Sequence, residues 1–270
     1  MTQMRAEVIG DPIAHSKSPM IHGFWIDALG IDATYGATHV TTEGLADFIA
    51  TRRNDAGWRG CNVTIPHKQA ILELVADHGD LHETLGAANT VFRDEDGALA
   101  ATNTDIAGFY APLADTDLAG AHVAVIGAGG AARAVLYALA RMDVAQVTIL
   151  NRSPLKAAGL LALFGLKGDA VGLGEPLPPV DLLVNASPMG MVGQPPLEID
   201  LDPLPEDALV YDIVYAPLET PLLAAARERQ LETVDGLHML IGQAALAFEL
   251  FFGIAPPRDR DEELRALLTV

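Results

Sequence analysis

The stretch "AHVAVIGAGGAARAVLYALARM", residues 121–142, constrains the fold more than any other part of the chain. A short apolar run stops at Gly127 and passes straight into an amphipathic segment, so a strand, a tight turn and a helix follow one another with no spare residue. Gly127 permits the turn, Gly129 lets the backbone approach a bound pyrophosphate, and Ala132 is small enough for the helix to lie close to the strand. Gly127, Ala128, Gly129, Gly130 and Ala131 are therefore the candidate cradle for a dinucleotide phosphate at the positive end of a helix dipole. Strands are predicted downstream at "QVTILN", "DLLVNAS", "ALVYDIVY" and "LETVDG", with helices between several of them, and "GLGEPLPPV" reads as loop. This is the pattern of an α/β fold with a doubly wound parallel Rossmann sheet.

The residue types after the second strand of that sheet select the cofactor. A site for NAD usually has an acidic residue there, which would repel a 2′-phosphate. Here "VTILNRSPLKA" offers Asn151, Arg152, Ser153 and Lys156, so the predicted cofactor is NADP. Arg152 and Lys156 also read as ordinary solvated charges, but a chain with only 17 Lys and Arg has placed two of them there.

The first hundred residues alternate as well. "AEVIG", "TYGATHV" and "CNVTIP" read as strands, while a helix from Pro19 towards Gly30, "LADFIATRR" and "KQAILELVAD" read as helices, so a largely parallel sheet is expected. "NTVFRDEDGALAATNTD" predicts a hairpin turning at Asp96 and Gly97, with a helix beginning near Asp105. Near the C-terminus "MLIGQAALAFELFF", residues 239–252, predicts a mostly buried helix, and a polar helix ends the chain.

With 270 residues the chain has room for one large domain or two ordinary ones. A net charge of −19 argues against a nucleic-acid partner, which needs clustered Lys and Arg. No run approaches the ~20 apolar residues of a membrane span, and no basic start leads into an apolar signal core. Cys61 is the single cysteine, so no internal disulfide forms, and a soluble protein of the reducing cytoplasm is expected. His78 and His82 are four apart, but Gly79 weakens a helix there and no third ligand is evident, so no metal is predicted. Oligomeric state is not encoded in any pattern here.

Two further stretches carry candidate chemistry. In "GDPIAHSKSPMIH" Ser16 and Ser18 share one face of an extended segment, with Ser18 placed to cap a helix and Pro19 in its first turn. Two hydroxyls at a helix N-terminus suit a carboxylate or phosphate, or they serve only the cap and the turn; both readings stand on this stretch alone. In "CNVTIPHKQA" Asn62 and Thr64 form a polar face. Lys68 falls in the first turn of the predicted helix, where the dipole disfavours a cation, so it reads either as a candidate proton donor or as a solvent-exposed lysine. His67 should point away from Lys68, towards the surface.

"GDPIAHSKSPMIH", "NVTIPHK", "GAANT", "NTD", "GAGGAARA", "NRS", "NASPMGM", "DIVY" followed by "TPLL", and "DGLHMLIGQAA" together resemble the shikimate dehydrogenases in order and spacing, from about residue 9 to residue 252. The resemblance implies a discontinuous N-terminal α/β substrate-binding and catalytic domain (1–105 with 238–270), an NADP-binding Rossmann domain (106–237), and an active site in a cleft. It implies reversible reduction of 3-dehydroshikimate to shikimate with NADPH. Ser16 and Ser18, with Tyr215, would bind the substrate carboxylate, while Thr64, Asn89, Asp105 and Gln243 would hold the ring hydroxyls. Lys68 and Asp105 would form the catalytic pair, with Met189 and its loop near the nicotinamide and Gly236 beside the cofactor. Met189 and Met191 also fit ordinary packing, and Asp105 fits an N-cap.

Hydride addition to a ketone develops negative charge on oxygen, and an ammonium beside it both stabilises that charge and supplies a proton. Ala101, Thr102, Ile106 and His238 stand where the family often has other residues, mainly glycine, and Lys156 stands where it often has arginine, which alone makes a forked contact. None of these departures removes a catalytic group. Two other readings stay open: a quinate or aminoshikimate dehydrogenase, including one using NAD, and a non-catalytic sensor of shikimate-like acids or NADP.

Overall fold

The segment "AEVIG" closes strand β1 (Met4–Gly10) in the computed structural model, which describes residues 3–77 and 79–269. Helix α1 (Ser18–Leu29) follows and ends where Gly30 takes φ +62°, a left-handed conformation that glycine adopts freely. Then come β2 (Ala33–His39), α2 (Leu45–Arg53), β3 (Trp58–Val63), a single turn α3 (Leu81–Thr84), β4 (Thr90–Arg93) and β5 (Leu99–Thr102). These strands form one sheet of order β2-β1-β3-β4-β5. The β1 pairings with β2 and β3 are parallel, while β3-β4 and β4-β5 are antiparallel, so the sheet is mixed rather than largely parallel. The β4-β5 hairpin turns at Gly97 (φ +79°), with the Asp94 carboxylate accepting from the N–H groups of Asp96 and Ala98.

The chain then runs through α4 (Asp105–Tyr110), β6 (His122–Ile126), α5 (Gly130–Leu139), β7 (Gln146–Leu150), α6 (Pro154–Phe164), β8 (Gly168–Val171), β9 (Leu182–Asn185), β10 (Leu209–Asp212), α7 (Pro221–Glu228), β11 (Glu232–Val234), α8 (Gly236–Phe252) and α9 (Asp261–Leu268). All six strands of this second sheet are parallel, in the order β11-β10-β9-β6-β7-β8. Val123 and Val125 of β6 pack in one buried cluster and Ala124 and Ile126 in another, because successive side chains point to opposite faces and helices cover both. This is a doubly wound sheet.

Two compact units result, Met1–Thr104 with Ile241–Val270, and Asp105–Leu240. The first division falls one residue before the sequence-based boundary and the second three residues after it, within the continuous helix α8.

Local readings differ from the structure at four places. "KQAILELVAD" forms only a 3-10 turn, Ala70–Glu73, because the Lys68 carbonyl accepts from Ala88 N–H and Ala76 bridges to the sheet at Ala100. Lys68 therefore stands in a turn ahead of a short 3-10 helix, and the dipole argument for it does not apply. Strand β8 escapes the sequence pattern because it is a short edge strand opening with Gly168, where a Cβ would run into the Val147 carbonyl. Helix α8 begins at Gly236, ahead of its apolar run. Ser18 is the first residue of α1 rather than its N-cap, and its N–H bonds back to Ser16 Oγ at 3.3 Å.

The first unit carries a buried histidine with a solution consequence. His22 is fully buried, stacked on Tyr35 at 3.8 Å between centroids, and burial lowers its pKa to about 3. The folded protein thus holds His22 neutral while the unfolded chain protonates near 6.5, so the stability this contributes is present above pH 6.5 and is lost as pH falls towards 3. About 2 kcal/mol is expected to be lost by pH 5, and chemical denaturation of His22→Phe across that range should show a flatter acid limb.

Candidate active site

Gly10 ends β1 against the turn that follows β3. A Cβ there would lie 2.5 Å from Thr64 Cγ2 and 3.0 Å from the Ile65 carbonyl oxygen, so only glycine lets the two segments meet. Thr64 N–H donates to Ile9 O at 3.0 Å and Asp11 N–H to Ile65 O at 2.9 Å, which ties the loop carrying Ser16 and Ser18 to the turn carrying Thr64 and Lys68. Both lie at the C-terminal ends of parallel strands, the edge where open α/β sheets place ligands. Ser18 is buried, whereas Ser16, Thr64 and Lys68 are half-buried. On the opposite face of the serine loop, Lys17 Nζ donates to the Leu268 carbonyl at the end of α9.

Asn89, immediately before β4, reaches the same sheet end. Its Oδ1 accepts from Thr104 N–H at 2.7 Å and from Thr90 Oγ1 at 3.0 Å, and its Nδ2 donates to Gln243 Oε1 of α8 at 3.3 Å. All four residues are buried. Asn89 and Gln243 therefore belong to one hydrogen-bonded network that also positions them, and the hydroxyl of Thr64 takes no part in it. His67, expected at the surface, is instead buried at 1 % exposure, and its Nε2 donates to the Val40 carbonyl at 2.6 Å.

In the second unit, β6 gives way to Gly127 at φ +108°, where a Cβ would lie 3.0 Å from the Ala186 carbonyl oxygen. Ala128 is buried, Gly129 is the extended N-cap of α5 with open space where a Cβ would project, and Gly130 and Ala131 open the helix. Ala132 is fully buried, as close helix-to-strand packing requires. Neighbouring strands β6 and β9 lie where the strand order reverses, so this turn and the loop after β9 flank the crevice in which such sheets hold a dinucleotide.

At the end of β7, Asn151 is half-buried with Nδ2 donating to the Ser153 carbonyl at 3.0 Å. Ser153 is the N-cap residue of α6. Arg152 and Lys156 are exposed, and neither has an acidic partner among the described residues. An open glycine cradle at a helix N-terminus with two such cations beyond the next strand fits a 2′-phosphorylated dinucleotide.

Asp105 is the first residue of α4 and is buried. Its charge and that of Asp235 reach the Tyr211 phenol, whose pKa is pushed up by burial first and by these two carboxylates second. Tyr215 is half-buried after β10. Gly236 starts α8 so close to β10 that a Cβ would collide with the Ile213 carbonyl oxygen. Met189 and Met191 are half-buried, and Met189 packs against the apolar cluster of one sheet face.

One functional-looking group went unread in the sequence: the buried pair Asn185 and Asp212, polar ends of the otherwise apolar strands "LLVN" and "LVYD". Burial raises the Asp212 pKa, partly offset by donors from Thr220, Val214 and Asn185. Among the described residues no group of three or more His, Cys, Asp or Glu side chains could hold a metal ion; His78 lies outside those residues. Among them, too, no helix is long and apolar enough to cross a membrane.

Fold and site together define a dinucleotide-binding α/β protein with a second α/β unit that gathers hydroxyls, amides and a lysine at one sheet end. Residues 8–91 match the model of the shikimate dehydrogenase substrate binding domain, residues 111–176 that of shikimate/quinate 5-dehydrogenase, and residues 236–264 that of the shikimate 5′-dehydrogenase C-terminal domain. A shikimate dehydrogenase (NADP(+)) of Sphingopyxis alaskensis is 68% identical over 263 residues, 97% of this chain and 96% of that protein. The crystal structure of shikimate 5-dehydrogenase from Thermus thermophilus in complex with NADP(H) and shikimate superposes with a TM-score of 0.86 at 35% identity, covering 98% of this chain and 99% of that one. Quinate dehydrogenase from Corynebacterium glutamicum in complex with NAD gives 0.82 at 31%, covering 98% and 99%. The chain belongs to the shikimate dehydrogenase family.

Proposed function

We propose that this chain reduces 3-dehydroshikimate reversibly to shikimate with NADPH, a step of aromatic amino acid biosynthesis. The reading is carried above all by the gathering of Ser16, Ser18, Thr64, Lys68, Asn89 and Gln243 at one end of the first sheet, in a chain 68% identical to a shikimate dehydrogenase (NADP(+)). The unit formed by 1–104 and 241–270 binds substrate, and 105–240 binds NADP. Bound NADPH supplies the hydride.

The residues of the chain do the rest. Ser16 and Ser18 hold the substrate carboxylate with Tyr215, while Thr64, Asn89, Asp105 and Gln243 take the ring hydroxyls and so fix which carbonyl face is presented. Lys68 donates to the carbonyl oxygen as negative charge develops there and delivers the proton that completes the alcohol; Asp105 orients the ammonium. Gly127, Ala128, Gly129, Gly130 and Ala131 receive the pyrophosphate, and Asn151, Arg152, Ser153 and Lys156 the 2′-phosphate end. Met189 and Gly236 border the nicotinamide. A buried, unpaired Cys61 suits a reducing cytoplasm.

Steady-state turnover with shikimate and quinate, each with NADP and NAD, tests the reading. The expected result is the highest kcat/KM for shikimate with NADP. A preference for quinate with NAD would transfer the assignment to the quinate dehydrogenases, and absence of turnover with every pair would leave a binding protein.

A further inference from the structure

Asp212 and Asn185 face each other at the C-terminal ends of adjacent parallel strands, both fully buried. The Asp212 carboxylate accepts from Asn185 Nδ2 at 2.9 Å, from Val214 N–H at 3.0 Å and from Thr220 Oγ1 at 2.6 Å. Because a carboxylate only accepts, the Asn185 amide must turn its NH2 towards it. The same NH2 also donates to the Met189 carbonyl at 3.0 Å. Asn185 Oδ1 is then directed at Ser187, accepting from its N–H at 3.1 Å and its Oγ at 2.7 Å, and Ser187 Oγ in turn accepts from Met189 N–H at 3.2 Å. The Asn185 amide, held on its NH2 side by Asp212 and the Met189 carbonyl and on its Oδ1 side by Ser187, thus bridges the buried Asp212 to the turn 187–189.

We propose that Asp212 is a positioning residue for the cofactor: through the Asn185 amide it sets the turn 187–189, and with it the placement of Met189 against the nicotinamide end of the bound dinucleotide. This rests on the reading that Met189 borders the nicotinamide. An asparagine at 212 has one acceptor oxygen in place of two and carries no charge, so the donors from Asn185, Val214 and Thr220 no longer all find an acceptor and the bond that holds the Asn185 amide is weakened. The adenosine end, held by Arg152 and Lys156, is not touched by this change.

Binding of NADPH and of 2′,5′-ADP, which lacks the nicotinamide, separates positioning from general damage. Titration calorimetry of the full chain should show Asp212→Asn weakening NADPH by about tenfold while 2′,5′-ADP stays within about twofold, with kcat falling more than KM for shikimate rises. Ser187→Ala, a milder change at a half-buried site, should show the same split at about threefold, and it decides the matter if Asp212→Asn fails to fold. Equal weakening of both ligands, or of neither, would overturn the proposal. Should the unaltered protein bind 2′,5′-ADP and NADPH with equal strength, the nicotinamide reading itself fails, a result distinct from either.

Discussion

Replacing Lys68 with alanine is expected to lower kcat by about 10²–10⁴-fold, with a far smaller change in KM for shikimate. The size follows from the role proposed for the ammonium. As hydride reaches the carbonyl carbon the oxygen becomes an alkoxide, and a donor held beside it contributes both charge stabilisation and the proton. In the proposed site the ground-state ring is held mainly by other groups, the serine hydroxyls and the Asn89 and Gln243 amides, so KM should be largely spared. Lys68 stands half-buried in a turn after β3, before the 3-10 turn at Ala70–Glu73, and its backbone carbonyl accepts from Ala88 N–H whatever the side chain. Circular dichroism and thermal unfolding should therefore match the unaltered protein. Near-normal turnover of Lys68→Ala would remove the lysine from the chemistry.

Arg152→Ala is expected to weaken NADPH by ~1.5–3 kcal/mol, the worth of hydrogen bonds to a charged group, and to leave NADH almost unchanged. Arg152 is exposed at the end of β7, where its guanidinium can take a forked grip on a 2′-phosphate, and the surrounding protein carries a net charge of −19. Few other cations are available to compensate. Lys156→Ala should act in the same direction with a smaller effect, since an ammonium makes no forked contact. Equal losses for NADPH and NADH would defeat the assignment of these residues to the 2′-phosphate.

Legibility in the sequence followed the locality of the cause. Helix α2 coincides with "LADFIATRR", and the turn from β6 into α5 coincides with "GAGG", because each is set by residues within a few positions of one another. The segment "KQAILELVAD" has the composition of a helix, yet its backbone is claimed by distant partners, Ala88 and the sheet edge at Ala100, and no local pattern records them. His67 misled for the same reason: its environment is the Val40 carbonyl, 27 residues away. Strand β8 was hidden because Gly168, which reads as a breaker, is required there by the close approach of Val147.

The candidate site divides along the same line. Ser16, Ser18, Thr64 and Lys68 were candidates on their own residues, the serines as an anion cradle or a cap and turn, Thr64 on a polar strand face, and Lys68 through a helix dipole that the 3-10 turn does not provide. Asn89 and Gln243 came from the family resemblance, and the structure adds that Thr90 and Thr104 hold them. Asn185 and Asp212 left a signal that could have been read: a polar residue closing each of two four-residue apolar strands. Their pairing depended on strand order, which only the folded sheet supplies.

A crystal structure of the complex with shikimate and NADP is the most direct test of the central claim that Lys68 and Asp105 serve one reacting oxygen. The expected result has the ring carboxylate within hydrogen-bond reach of the Ser16 and Ser18 hydroxyls, and both Lys68 Nζ and an Asp105 carboxylate oxygen within about 3.2 Å of the hydroxyl whose carbon faces the nicotinamide. A ring seated with that hydroxyl out of reach of Lys68, or with its carboxylate away from the two serines, would contradict it.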